Sequence, residues 1–269
     1  MKSGVRRHGF SRMMQAPFKP GAHHGKHPPL ESPAALVFGG SRGIGAAIAA
    51  RLAEAGYAVA LTYASRADSA NAVVASIEAS GGRALAIEAD SADPQAIACA
   101  VNTAVQLFGS LSVAVVNAGI YRANPIGAVP LDELDQMLAV NVRGVFLAIQ
   151  ASAANMRDGG RIITIGSNTA VRTGSPGSSV YAMTKAAVAT LVSGAALDLA
   201  PRGITVNNIQ PGPIQTDLTA DWTAQLIPRI PLGRMGKSSE IAGLAAFLAG
   251  ADAGYITGAS LTADGGFVL

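Results

Sequence analysis

The feature that most constrains the fold is a regular alternation of short apolar segments with longer helical ones. Seven short apolar runs are predicted to be strands: Ala34–Phe38, Ala58–Tyr63, Ala84–Ile87, Val113–Val116, Arg161–Ile165, Ile204–Ile209 and Ala259–Thr262. The periodicity between them predicts six helices: Ile44–Ala55, Ala67–Ser80, Pro94–Phe108, Leu131–Met156, Ser179–Leu199 and Ser238–Leu248. Apolar strands that alternate with helices are typical of a parallel sheet covered on both faces. The sequence therefore predicts one doubly wound α/β domain with a seven-stranded parallel sheet, whose ligands bind at the carboxyl ends of the strands.

Charge divides the chain into two parts. Residues 1–33 contain six Lys and Arg residues, one acid, and glycine and proline without apolar periodicity, which predicts a disordered leader. Its basic composition loosely resembles an organelle-targeting peptide, and translation from Met13 or Met14 is an equal alternative. Residues 34–269 are predicted to be the folded domain and carry 14 basic and 16 acidic residues. The net positive charge of the chain therefore arises from the leader, whereas the predicted domain is slightly acidic. It does not indicate a nucleic-acid partner.

The predicted domain lacks histidine, because all four histidines lie in the leader. This excludes a Ser-His-Asp hydrolase and most histidine-ligated metal sites, so no metal site is predicted. Proton transfer is left to Tyr, Lys or carboxylates. The single cysteine, Cys99, cannot form an internal disulfide, and no unbroken apolar run reaches the ~18 residues of a membrane span. We expect a soluble, cytoplasmic protein that does not enter a membrane.

A glycine-rich turn, Gly39-Gly40-Ser41-Arg42-Gly43-Ile44-Gly45, separates the first predicted strand from the first helix. Glycines permit a tight turn and a close backbone approach, while the N–H groups at the start of a helix bind phosphate. In the first unit of an alternating α/β chain, this turn predicts a dinucleotide site of the Rossmann type.

Tyr181 and Lys185 are a candidate proton-transfer pair. Positions four residues apart share one face of a helix, so the Lys185 ammonium can lie beside the phenol and favour its ionised form. The phenol then becomes a proton donor or acceptor near neutral pH. Ser167 lies fourteen residues before the tyrosine, just after a predicted strand.

From about residue 34 to residue 269 the chain resembles the classical short-chain dehydrogenases/reductases. The resemblance is carried by the glycine turn, by Asn117-Ala118-Gly119, by Asn141, by Ser167 with Tyr181 and Lys185, and by Pro211-Gly212-Pro213-Ile214-Gln215-Thr216. Phe38 and Val116 depart from the family pattern, which has polar residues there. Losing these polar side chains is expected to loosen the hydrogen bonding between adjacent loops.

The resemblance implies four catalytic residues. Tyr181 donates a proton to a carbonyl oxygen or removes one from an alcohol, and Ser167 holds that oxygen. Lys185 binds the nicotinamide ribose and lowers the pKa of the tyrosine, while Asn141 holds a water molecule linked to the lysine.

The cofactor implied is a nicotinamide dinucleotide, with NADP(H) favoured over NAD(H). No acidic residue follows the second strand before Asp68, whereas Arg42, Ser65 and Arg66 suit a 2′-phosphate. Tyr181 and Lys185 are also cofactor residues, and the others are Gly39, Ser41, Arg42, Gly43, Ile44, Gly45, Tyr63, Ser65, Arg66, Asp90, Ser91, Asn117, Ala118, Gly119, Pro211, Gly212, Ile214 and Thr216.

The substrate residues are less defined. The family pattern places them after Gly119, after Ser167 and in a substrate loop at about residues 212–237. The candidates are Tyr121, Asn168, Arg172, Leu218 and Trp222. This mixture suits a modest apolar ketone or an acyl chain.

Three functions are compatible with the sequence. The leading one is NADPH-dependent reduction of a ketone or 3-oxoacyl carbonyl to a secondary alcohol, since the pattern before Ser167 is similar to that of 3-oxoacyl-[acyl carrier protein] reductases. A cyclic-di-GMP-binding regulatory protein is an alternative, because similar segments occur in a reductase-like mediator of biofilm dispersal. An NAD-dependent alcohol or sugar dehydrogenase is the third. The resemblance also implies a homotetramer.

Overall fold

The computed structural model describes residues 32–217 and 219–269. Seven parallel strands form one sheet in the order β3-β2-β1-β4-β5-β6-β7. Their bounds are β1 Ala34–Phe38, β2 Ala58–Tyr63, β3 Ala84–Glu88, β4 Leu111–Val116, β5 Met156–Ile165, β6 Thr205–Pro211 and β7 Ser260–Ala263. The predicted doubly wound fold is confirmed. The predicted leader falls almost wholly outside the described residues, and Leu218 falls outside them too.

Helices cover both faces of the sheet. They are α1 Gly43–Glu54, α2 Ala67–Ala79, α3 Pro94–Phe108, α4 Leu131–Leu138, α5 Val145–Ala154, α6 Ser179–Leu199, α7 Thr223–Leu226 and α8 Ser238–Ala249. Side chains of α3, α5 and α6 form a core with one face of the sheet, and those of α1, α2 and α8 form a core with the other.

The position of the central strand β1 between two hydrophobic cores explains why its five residues are all apolar. Ala34, Leu36 and Phe38 contribute to one core, whereas Ala35 and Val37 contribute to the other. Successive side chains of a strand point to opposite faces, so a strand covered on both sides must be apolar at every position.

The predicted helix Leu131–Met156 is wrong as a single element. It consists of α4, a π-helical segment over Ala139–Gly144, and α5, and Met156 already belongs to β5. Two contacts accompany the π segment: Asn141 bonds to the backbone of Ile120, and a Cβ on Gly144 would lie 2.1 Å from the Ser91 carbonyl. These contacts come from loops distant in sequence, so helical periodicity did not reveal them.

Two helical segments, Leu131–Ala154 and Ser179–Arg202, are long and apolar enough to span a membrane by length and composition alone. Their buried residues pack against the sheet. Ile149 of α5 and Val192 of α6 belong to the same core as Leu36 of β1. Core packing therefore accounts for part of the apolar character of both segments.

Candidate active site

The glycine turn after β1 lies against the loop that follows β4. The Gly39 N–H donates to Thr62 Oγ1 at 3.0 Å, and Asn117 Nδ2 donates to the Gly39 carbonyl at 2.7 Å. Gly39 has a φ of +72°, and a Cβ there would lie 2.8 Å from Ala118 Cα, so the turn requires glycine. The Asn117 side chain thus joins the two loops, although Phe38 and Val116 beside them are apolar.

The first turn of α1 is open to an anion. Its N-cap residue, Arg42, makes no side-chain cap, and the turn contains no acidic side chain. A Cβ on Gly45 would lie 2.1 Å from the Gly39 carbonyl oxygen, so glycine lets the helix begin this close to the turn. N–H groups at a helix N-terminus bind phosphate. The turn therefore fits the pyrophosphate of a dinucleotide.

Asn141 is fully buried in the π segment. Its Oδ1 accepts from the Ile120 N–H at 2.9 Å, and its Nδ2 donates to the Ile120 carbonyl at 2.8 Å and to Thr184 Oγ1 at 3.2 Å. One side chain thus joins the loop after β4 to α6. Asn141 lies directly behind Gly119, where an added Cβ would be 3.4 Å from both Asn141 Oδ1 and Lys185 Nζ.

Lys185 is buried, with 4% of its surface exposed. Its Nζ donates to the Ile165 carbonyl at 2.9 Å and lies 5.7 Å from the centroid of the Tyr181 ring. Burial lowers the pKa of Lys185 to about 8. The ammonium is therefore fixed at the end of β5 and loses its proton near pH 8, well below the ordinary value of a lysine.

The pKa of Tyr181 moves in the opposite direction. Burial raises it to about 12, a hydrogen bond with Ser167 lowers it, and Tyr121 raises it. The predicted lowering of this pKa by Lys185 is not what the structure shows: burial outweighs the other contributions and raises the pKa, while the Lys185 ammonium donates to the Ile165 carbonyl. Tyr181 keeps its proton at neutral pH, which suits a proton donor.

Ser167 lies just after the end of β5 and is hydrogen-bonded to Tyr181. It is 8% exposed and begins a short 3₁₀ turn over Asn168–Ala170. Its Oγ accepts from the Thr169 N–H at 3.2 Å and from Thr169 Oγ1 at 2.9 Å. Together with the Tyr181 hydrogen bond, these contacts place two hydroxyl groups in one corner of the cleft.

Among the arginines that line the cleft, Arg42 lies in the glycine turn after β1, and Arg66 lies just after β2. Ser65 lines the cleft too. The Arg42 guanidinium also lies 3.6 Å from the Asp217 carboxylate, and both side chains are more than half exposed, at 52% and 78%. This ion pair was not predicted. It connects the glycine turn to the segment after Thr216.

An aromatic wall lies beside Tyr181. Tyr121 packs edge-on against Tyr181, with ring centroids 5.0 Å apart, and against Trp222 at 5.7 Å. The Tyr121 hydroxyl lies 3.3 Å from Ser178 Oγ. The structure thus brings Tyr121 and Trp222, both predicted to contact substrate, to one side of the proton donor.

The other predicted substrate residues are held by the C-terminal segment. Asn168 Nδ2 donates to Asp264 Oδ2 at 3.2 Å, and Arg172 Nη1 donates to the Leu269 carbonyl at 2.9 Å. Both line the cleft. Leu218 lies outside the described residues, so its place in the site stays a prediction.

The sequence did not identify Arg229 and Phe267 as residues of the cleft. Both line it, with the Arg229 guanidinium 4.7 Å from the Phe267 ring centroid and its Nη2 donating to the Gly174 carbonyl at 2.9 Å. No local pattern could have found them, because the contact joins segments that only the folded chain brings together.

A single cleft of about 910 Å³ collects these groups. Ser167, Tyr181 and Lys185 line it, and among the residues that the structure describes Gly45 and Asn141 are the two predicted ones that do not. The predicted cofactor residues in its lining also include Gly39, Ser41, Arg42, Gly43, Ile44, Tyr63, Ser65, Arg66, Asp90, Ser91, Asn117, Ala118, Gly119, Pro211, Gly212, Ile214 and Thr216. Across residues 32–217 and 219–269 there is no group of three His, Cys, Asp or Glu side chains that could hold a metal ion.

The fold and this cleft define an oxidoreductase that uses a nicotinamide cofactor. Residues 39–268 match the family model described as enoyl-(acyl carrier protein) reductase. The chain belongs to the short-chain dehydrogenase/reductase family.

Known proteins of the family resemble the chain over most of its length. It is 42% identical over 241 residues to the 3-oxoacyl-[acyl-carrier-protein] reductase FabG of Staphylococcus aureus, covering 87% of this chain and 98% of that protein. A short-chain dehydrogenase/reductase from Serratia marcescens superimposes with a TM-score of 0.87 at 53% identity, covering 90% of this chain and 100% of the other. A short-chain dehydrogenase from Burkholderia cenocepacia in complex with NADP gives 0.86 at 46% identity, with the same coverage.

Proposed function

We propose that the protein reduces a ketone or 3-oxoacyl carbonyl to a secondary alcohol with NADPH as the reductant. The observation that carries the proposal is the juxtaposition of Ser167 and Tyr181 in the cleft, where Ser167 is hydrogen-bonded to the phenol. A protonated phenol beside a second hydroxyl group can donate its proton to a carbonyl oxygen while that hydroxyl group donates a hydrogen bond to the same oxygen.

Each residue of the site has a separate task in this reaction. The nicotinamide cofactor supplies the hydride. Tyr181 donates its proton to the carbonyl oxygen, and the Ser167 hydroxyl donates a hydrogen bond to that oxygen. Lys185, with a pKa near 8, is suited to return a proton to the site after each turnover. Asn141 holds the Ile120 loop against α6 and so keeps Lys185 beside Gly119.

The preference for NADPH is supported by the two arginines near the end of β2. Arg42 and Arg66 present planar guanidinium groups, and no carboxylate lies in Tyr63–Arg66 to repel a 2′-phosphate. The Burkholderia cenocepacia relative binds NADP.

Fluorescence titration of NADPH and NADH against Arg42→Ala and Arg66→Ala tests this preference. We expect at least one variant to weaken NADPH binding about tenfold or more while NADH binding stays within about twofold. Arg51→Ala is the control, since Arg51 pairs with Glu54 on the surface of α1. Equal losses for both cofactors would contradict a 2′-phosphate site.

The substrate class is inferred from the wall of the cleft and from a relative. Tyr121 and Trp222 offer apolar surface beside Tyr181, which suits an alkyl or acyl chain. The Staphylococcus aureus relative is named for reduction of 3-oxoacyl groups.

The decisive experiment is a panel of ketones, β-ketoesters and 3-oxoacyl thioesters, with NADPH consumption as the readout. Turnover by the parent that is lost in Tyr181→Phe supports the proposal. Absence of turnover throughout the panel, with tight binding of cyclic di-GMP, would replace it with the nucleotide-sensor alternative. Faster NADH-coupled alcohol or sugar oxidation would favour the third alternative.

We propose further that the protein is a cytoplasmic homotetramer. Phe146 of α5 and the α6 residues Met183 and Leu197 are large apolar side chains that are 47%, 48% and 78% exposed. Burial against other copies of the chain would remove this surface from water. Light scattering after gel filtration tests the state, and a monomer at micromolar concentration would contradict it.

A further inference from the structure

Thr169 donates both of the hydrogen bonds that the Ser167 hydroxyl accepts. Ser167 Oγ accepts from the Thr169 N–H at 3.2 Å and from the Thr169 hydroxyl at 2.9 Å. A serine hydroxyl has two acceptor lone pairs and one donor hydrogen. Because Thr169 uses both lone pairs, Ser167 has only its O–H left to offer the cleft.

We propose that Thr169 is a positioning residue that fixes Ser167 as a hydrogen-bond donor, toward the Tyr181 oxygen in the free protein and toward the substrate oxygen once a substrate is bound. The part concerning the substrate oxygen rests on the proposed function. The part concerning Tyr181 rests only on the contacts among the three side chains.

The consequence concerns the Tyr181 proton. If a Ser167 lone pair were free, the neutral phenol could donate to it, and its proton would be held by the protein rather than by the substrate. With both lone pairs occupied, the phenol keeps its proton available, and Ser167 donates to the phenol oxygen, which agrees with the lowering of the Tyr181 pKa by this bond. Thr169 lines the cleft but needs no contact with the substrate for this effect.

Thr169→Val tests the arrangement, because valine removes the hydroxyl donor and keeps the branched shape. Thr169→Ser is the conservative rescue, since it retains the hydroxyl. Thr103→Val is the matched control: the Thr103 hydroxyl bonds to the Cys99 carbonyl within α3, away from the cleft.

The first readout needs no substrate. Carbon-13 NMR of tyrosine labelled at Cζ reports the hydrogen bonding of each phenol, and Tyr181→Phe assigns the Tyr181 signal. We expect Thr169→Val to move that signal, and Thr169→Ser and Thr103→Val to leave it in place. In a Ser167→Ala background, Thr169→Val should have no effect. An equal displacement in that background would assign the change to packing and overturn the inference.

The second readout is the NADPH-dependent reduction. Thr169→Val removes one hydrogen bond of this network, so we expect its kcat to fall about tenfold while its KM for NADPH stays unchanged. In Thr169→Ser we expect kcat to recover to within about twofold of the parent. A parent without reductase activity contradicts the proposed function and leaves the NMR result to decide the role of Thr169. An active parent whose Tyr181 signal and kcat are both unaffected by Thr169→Val contradicts this inference alone.

Discussion

The floor and the rim of the cleft are built in different ways. The floor consists of Ser167, Tyr181 and Lys185 together with Asn141, which is buried behind the cleft lining, and the rim consists of Arg42, Asp217, Trp222 and Arg229. Asn141 and Lys185 are 0% and 4% exposed and bond to backbone groups of other elements. Arg42 and Asp217 are 52% and 78% exposed and pair with each other.

This difference implies that the floor serves the chemical reaction, whereas the rim serves the recognition of ligands. A buried polar side chain that satisfies backbone groups cannot be removed without leaving them unpaired, so changes in the floor affect folding and reaction together. Exposed pairs contribute little to stability, and changes in the rim can alter binding while the fold is preserved. Four substitutions test this separation.

The largest effect is expected for Tyr181→Phe. Removing the phenol hydroxyl removes the proton donor, so kcat should fall by about 10²–10⁴ while the dissociation constant for NADPH changes less than about threefold. Tyr121→Phe is the control, because it keeps the aromatic wall and removes a neighbouring phenol hydroxyl, which contacts Ser178, while Tyr181 stays intact. Activity of Tyr181→Phe within a few-fold of the parent would assign proton donation to another group.

Asn141→Ala should lower stability most. The substitution leaves the partly buried N–H and carbonyl of Ile120 without their partner, and we expect a loss of about 2–4 kcal/mol in the free energy of unfolding, measured in urea. Asn155→Ala removes a single bond to the Ala151 carbonyl and should cost about 1 kcal/mol or less. Equal losses for the two variants would mean that Asn141 does not join the loop to α6.

Lys185→Met should change how stability depends on pH. Burial places the pKa of Lys185 at about 8, below its ordinary value of 10.5. Between these values the unfolded chain binds more protons than the folded one, so the parent gains stability as pH rises. Relative to Lys185→Met, we expect a gain of about 1–3 kcal/mol between the two pKa values. Unfolding in urea at a series of pH values measures it, and a constant difference would show that the ammonium is not buried.

The smallest effect is expected for a substitution in the rim. Asp217→Asn breaks an exposed ion pair, so the free energy of unfolding should change by less than about 0.5 kcal/mol. Because Arg42 is then released from its carboxylate, NADPH should bind about two- to threefold more tightly. Calorimetric titration checks this, and weaker binding would mean that the pair orients Arg42 for the cofactor.

Most of the floor could be predicted from the sequence because local rules position it. The glycine turn follows a strand and opens a helix, Ser167 ends β5, and Tyr181 and Lys185 are one turn apart on α6. A parallel sheet brings the carboxyl ends of its strands to one edge, so these separate motifs meet in space.

The remainder depends on directions and contacts that spacing does not encode. The i, i+4 spacing indicates that Lys185 and Tyr181 share a helix face. It cannot indicate that the ammonium bonds to the Ile165 carbonyl or that burial raises the pKa of the phenol. The contact of Arg229 with Phe267 joins segments that no local pattern relates.

The strand order also determines when the cleft can form during folding. β1 pairs with β4 across the chain segment that makes β2 and β3, and the bond between Asn117 and Gly39 closes a separation of 78 residues. Closing so long a segment is entropically costly, and non-local strand pairing is slow. The glycine turn and the loop after β4 become neighbours only when this pairing is complete. A dinucleotide that requires both would therefore slow unfolding without speeding the formation of the sheet.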